Sequence, residues 1–80
     1  MTKKRLLLAE DDELLASLLN FRLKKGGYEV NHSTNGKEVK EYLSGHMPDI
    51  IVSDIMMPYF SGMELIAYVR KELKSQVPII

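Results

Sequence analysis

Apolar and polar positions along this chain fall into short blocks whose lengths separate strands from helices. Leu6-Leu7-Leu8-Ala9 lies between a basic lead-in, Lys3-Lys4-Arg5, and an acidic cluster, Glu10-Asp11-Asp12. So short a run, ended by acids, predicts a buried strand over residues 5–9. From Glu13 to Lys25 the apolar residues recur at helical spacing in two rows, Leu14-Leu18-Phe21 and Leu15-Leu19-Leu23. Asp12 is placed to cap that helix, Lys24 and Lys25 suit the negative end of its dipole, and Gly26-Gly27 supplies the stop. Residues 28–33 alternate, with Tyr28 and Val30 on one side and Glu29 and Asn31 on the other, which predicts a half-exposed edge strand. His32 continues the Tyr28 side and is expected there as a tolerated edge residue rather than a ligand, since no second ligand sits at metal spacing.

Asn35-Gly36-Lys37-Glu38 has the pattern of a capping box, with Asn35 as the cap and Glu38 reaching back. Val39, Tyr42 and Leu43 then form a short apolar stripe, ended by Ser44-Gly45. His46, in the loop before Pro48, is assigned no chemistry. Ile50-Ile51-Val52 is β-branched throughout and predicts a central strand buried on both faces, running to Asp54 and stopped before Pro58. Ser61-Gly62-Met63-Glu64 is a second capping-box pattern, opening a helix whose inner face carries Leu65, Ile66, Val69 and Leu73. Val77-Pro78-Ile79-Ile80 begins a fourth strand, and the sequence is expected to end inside it. The order β-α-β-α-β-α-β implies an α/β fold with a parallel, doubly wound sheet.

Composition narrows the possible functions. Eighty residues make one domain at most, and 45% apolar with 28% charged residues is a globular balance. Eleven basic residues against eleven acidic ones leave no net charge, which removes the whole-chain electrostatic case for binding nucleic acid or a membrane surface. Without cysteine there is neither a disulfide framework nor a thiolate metal site. The apolar run at residues 6–9 is too short for a signal-peptide core or a membrane span, and a cytoplasmic protein is expected.

The candidate chemistry lies in the acids that end the first and third strands. In the flavodoxin-like strand order 2-1-3-4-5 these two strands are neighbours, and ligands bind beyond their carboxyl ends. Glu10, Asp11 and Asp54 would then share one shallow pocket, with Asp12 close by. Carboxylates that crowd together favour a cation, and with oxygen donors alone the natural one is Mg²⁺. An aspartate beside Mg²⁺ can also act as a nucleophile toward phosphorus. The bland alternative is an acidic rim that only caps helices.

Leu6-Leu7-Leu8-Ala9-Glu10-Asp11-Asp12-Glu13, then Pro48-Asp49-Ile50-Ile51-Val52-Ser53-Asp54-Ile55-Met56-Met57-Pro58, then Ser61-Gly62-Met63-Glu64-Leu65, together resemble the receiver domain of two-component response regulators. The resemblance runs over essentially the whole chain and implies a role for each matching residue. Asp54 matches the aspartate that accepts a phosphoryl group from the phosphohistidine of a sensor kinase or phosphotransfer protein. Asp11 matches a direct Mg²⁺ ligand, Glu10 its acidic neighbour acting through water, and Met56 the position whose backbone carbonyl binds the metal. Pro58 and Gly62 match the loop that shapes the site. A receiver has five strands and five helices, so the resemblance covers its N-terminal two-thirds. The family's switch Ser/Thr and its lysine would both fall past Ile80.

Three readings stay open. One is a phospho-accepting signalling module that acts on itself and not on a turnover substrate. Another is a phosphatase of the haloacid-dehalogenase type, which needs a second aspartate two residues after the nucleophile, where this chain has Met56. The third is a structural fragment used for assembly. An uncovered edge at residues 77–80 further predicts self-association of the eighty-residue chain.

Overall fold

The computed structural model describes residues 3–53 and 62–80. Strand β1 (Lys4–Ala9) is followed by helix α1 (Glu13–Lys25), strand β2 (Tyr28–Ser33), helix α2 (Gly36–Gly45) and strand β3 (Ile50–Ser53). Helix α3 (Gly62–Ala67) continues directly into a wider π turn over Tyr68–Glu72. The sheet is parallel and three-stranded, in the order β2-β1-β3, so the first strand in sequence lies in the middle. This is the doubly wound, flavodoxin-like arrangement expected from the alternation of strands and helices.

Both faces of β1 are covered, which is why its apolar run does not alternate with polar residues. Leu7 and Ala9 face α2 and α3 in a cluster with Val39, Leu43, Ile51, Leu65, Val69 and Val77. Leu6 and Leu8 face the other way, onto Ala16 of α1, with Leu19, Leu23, Tyr28, Val30, Ile50 and Val52 around them. Leu6, Leu7, Leu8 and Ile51 are each at most 1% exposed. Each such side chain contributes roughly 1.5–3 kcal/mol by burial.

The end of the chain is less regular than a full fourth strand. Ile79 forms a single parallel bridge with Ile51. Around it, the Ile51 amide donates to the Pro78 carbonyl at 2.9 Å, the Ile80 amide to the Ile51 carbonyl at 2.8 Å, and the Ser53 amide to the Ile80 carbonyl at 3.0 Å. Residues 77–80 thus follow β3 on the side away from β1. Arg70 braces their approach, its Nη1 donating to the Ser75 and Val77 carbonyls at 3.0 and 2.8 Å.

Three expectations need correction. The row Leu14-Leu18-Phe21 does not meet the sheet; these residues are 75%, 57% and 62% exposed. The contact is made through Ala16, buried against Leu6 and Leu8 with Leu19 and Leu23 beside it. Ile66 is not on the inner face of α3 and is 40% exposed. Leu65 and Val69, four residues apart, take that face and are fully buried, which turns the intervening Ile66 outward. Glu38 does reach back, but its carboxylate accepts from the amide and hydroxyl of Thr34, one residue before the cap, while Asn35 Oδ1 accepts the Glu38 amide at 3.0 Å.

Candidate functional site

Strands β1 and β3 run side by side in the register Leu6↔Ile50 through Ala9↔Ser53, so both end at the same level. The next residue after Ala9 is Glu10, and the next after Ser53 is Asp54. Glu10 is a carboxylate only 6% exposed at the edge of an apolar core. A charged group in such a place has to be held by polar partners. Its backbone amide donates to the Ser33 carbonyl at 3.0 Å, and its carbonyl accepts from His32 Nε2 at 2.7 Å. Its Oε2 lies 3.4 Å from the amide of Asp12.

The three acids of the cluster divide by role. Asp12 is the cap of α1: its Oδ1 accepts the amides of Leu14 and Leu15 at 3.0 and 3.1 Å. Asp11 is exposed and is not used in that cap. Where β1 ends, Glu10 is thus buried and Asp11 exposed. Asp54, Met56 and Pro58, also singled out from the sequence, lie outside the described residues. Among the described residues, no three of histidine, aspartate and glutamate are placed together to hold a metal ion. Gly62, the last residue of the recognised loop pattern, opens α3.

His32 is the residue whose role the sequence reading missed. It was expected as a tolerated edge residue, yet its ring is bonded to the backbone of the acidic pair. A signal was present: β2 pairs with β1 through Leu8↔His32 and Ala9↔Ser33, so its last polar residues flank the first acids. A concavity lies at the opposite, amino-terminal edge of the sheet, lined by Lys3, Lys4, Arg5, Glu29 and Asp49. Its charges are mixed, and it is remote from the acidic edge.

A family model described as the response regulator receiver domain matches residues 6–80. The chain belongs to that family. Solved receiver structures are similar to it in fold and, more loosely, in sequence. A response regulator from Chloroflexus aurantiacus has a TM-score of 0.91 at 30% identity, with 98% of this chain and 65% of that one covered. The Francisella response regulator 1452 receiver domain has a TM-score of 0.89 at 29% identity, covering 95% and 62%. Response regulator TrrA from Thermotoga maritima, solved in complex with Mg²⁺ and BeF, has a TM-score of 0.82 at 34% identity, covering 89% and 62%. The chain thus spans about three-fifths of the length of these structures. It is a receiver domain of the two-component type, and no helix among the described residues is long and apolar enough to cross a membrane.

Proposed function

We propose that this receiver accepts a phosphoryl group on Asp54 from the phosphohistidine of a sensor histidine kinase or of a phosphotransfer protein, in the cytoplasm. The observation that carries this is the β1–β3 register, which delivers the Glu10-Asp11 pair and the residue preceding Asp54 to one edge of the sheet. A carboxylate oxygen of Asp54 forms the new bond to phosphorus as the P–N bond to the donor histidine breaks, leaving an acyl phosphate on this chain. The reaction modifies the domain itself, so no released product is expected from the chain.

The donor set fits Mg²⁺. It offers only oxygen atoms, from carboxylates, a backbone carbonyl and water, as a hard, hydrated divalent cation requires. Asp11 and Asp54 would hold the ion directly, with the Met56 backbone carbonyl, and Glu10 through water. When bound, Mg²⁺ neutralises charge on the phosphoryl oxygens. Of the chain's own groups, the Asp12 cap keeps the start of α1 fixed beside the pair.

Phosphorylation of the full-length protein with acetyl phosphate or a cognate kinase, with Mg²⁺ present, tests the assignment. Mass spectrometry is expected to place the modification on Asp54 and to find none in Asp54→Asn. An undiminished level in that variant would overturn it. The phosphatase reading is disfavoured because Met56 stands where that chemistry needs a second aspartate.

A further inference from the structure

We infer that His32 is a positioning residue for the acidic edge: its ring holds the peptide that joins Glu10 to Asp11. The inference rests on the metal site proposed above. Strand pairing between β1 and β2 ends at Ala9↔Ser33. One more backbone bond follows, from the Glu10 amide to the Ser33 carbonyl at 3.0 Å. Beyond it the Glu10 carbonyl meets a side chain of β2, His32 Nε2, at 2.7 Å. Because a carbonyl oxygen only accepts, Nε2 carries the proton. The side chain thus extends the ladder by one bond past the end of the strand.

That bond falls at a consequential place. The Glu10 carbonyl and the Asp11 amide belong to one planar unit. Fixing the oxygen fixes the plane, and with it the direction in which the Asp11 Cα leaves the strand. The plane on the other side of the Glu10 Cα is fixed by the bond to Ser33. Two successive residues of β2 therefore hold both peptide planes that flank the Glu10 Cα, and so set the starting direction of the Glu10 side chain and the point from which Asp11 departs. His32 itself is exposed and adds little to the core, so its contribution is to the aim of the acids rather than to burial. Partners of this kind behind metal ligands commonly change metal affinity by about 10–100-fold when removed.

The test uses calorimetric Mg²⁺ titration of the full-length wild type, His32→Phe, His32→Gln and Asp11→Asn, with urea unfolding of each. Phe keeps a ring of similar size and lacks the donor; Gln carries an amide N–H that can reach the position of Nε2. His32→Phe is expected to bind Mg²⁺ about tenfold more weakly. His32→Gln is expected to recover most of the loss at the same unfolding midpoint as the Phe variant. In metal-free ¹⁵N spectra the Asp11 amide should move in the Phe variant and return toward its wild-type position in the Gln variant. A wild type that takes up no Mg²⁺ would overturn the site reading, and this inference with it. Wild-type binding that Asp11→Asn abolishes and His32→Phe leaves unchanged would overturn this inference alone. So would equal weakening in the Phe and Gln variants.

Discussion

Arg5 and Asp49 hold each other by two hydrogen bonds: the Arg5 amide donates to Asp49 Oδ2 at 2.7 Å, and the Asp49 amide donates to the Arg5 carbonyl at 2.8 Å. The pair stands one residue before Leu6↔Ile50, where the register of β1 and β3 begins. Asp49→Ala removes the charged acceptor and leaves the Arg5 amide to water. It is expected to cost about 1 kcal/mol, seen as a lower urea midpoint with an unchanged slope. Asp49→Asn, which keeps an acceptor oxygen, should retain most of that stability.

Asp11 and Asp12 are neighbours with separable roles. Asp12→Ala loses the cap of α1 and should destabilise by about 0.5–2 kcal/mol while Mg²⁺ affinity changes little. Asp11→Asn should do the reverse, keeping the unfolding midpoint and losing Mg²⁺ binding. Paired urea and calorimetric titrations of the two variants check this. Matching profiles for the two would remove the division of labour.

Glu38 sets part of the acid limb of stability. Its carboxylate titrates below the ordinary value of 4.5, first because it accepts the Thr34 hydroxyl and next because it accepts the Thr34 amide. A carboxyl group with a lowered folded pKa binds fewer protons in the native state. Its stabilisation is therefore present above the unfolded pKa and is lost as pH falls through the folded one. Glu38→Gln should lower stability slightly at neutral pH and flatten the further loss below about pH 4.5, so that the two proteins converge in acid. The effect is modest because the group stands in solvent. Unfolding midpoints between neutral and acid pH measure it.

Leu7 and Leu18 should respond very differently to truncation. Leu7 is 0% exposed between β1 and the α2–α3 face, and Leu7→Ala is expected to cost about 2–5 kcal/mol. That is a large share of a small domain's margin of about 5–15 kcal/mol. Leu18 is 57% exposed, and Leu18→Ala should stay within about 0.5 kcal/mol. Thermal melts of the two variants test the contrast.

The same helix marks where sequence reading reaches its limit. Periodicity made the two leucine rows of α1 equally apolar, but periodicity counts large residues and is blind to the one position small enough to sit on the sheet. Ala16 faces inward with Leu19 and Leu23, while Leu15 of the same row is 43% exposed, and only the packing reveals it. The strand order was legible, because unbroken apolar runs at Leu6–Leu8 and Ile50–Val52 require cover on two faces. The acids stood out in the sequence for a related reason: Glu10 and Asp54 each follow such a run after a single small residue, Ala9 or Ser53. The contribution of His32 did not, because it depends on where β2 ends relative to Glu10. The π turn at Tyr68–Glu72 was missed too: its defining bond, from the Leu73 amide to the Tyr68 carbonyl, spans five residues where the apolar spacing suggested an ordinary helix.

The central place of β1 has a consequence for synthesis. Of the three strands, β1 leaves the ribosome before the other two, and both of them pair with it, at Tyr28–Ser33 and at Ile50–Ser53. Leu6, Leu7 and Leu8 thus emerge as an apolar segment with nothing yet to pair with. One side is joined only after α1 has been made, and the other only after α2. Parallel pairings of this kind close long loops and form late. The nascent chain carries its most adhesive stretch uncovered until Ser53 is out of the exit tunnel, so the interval before β3 arrives is when a ribosome-associated chaperone has most to protect.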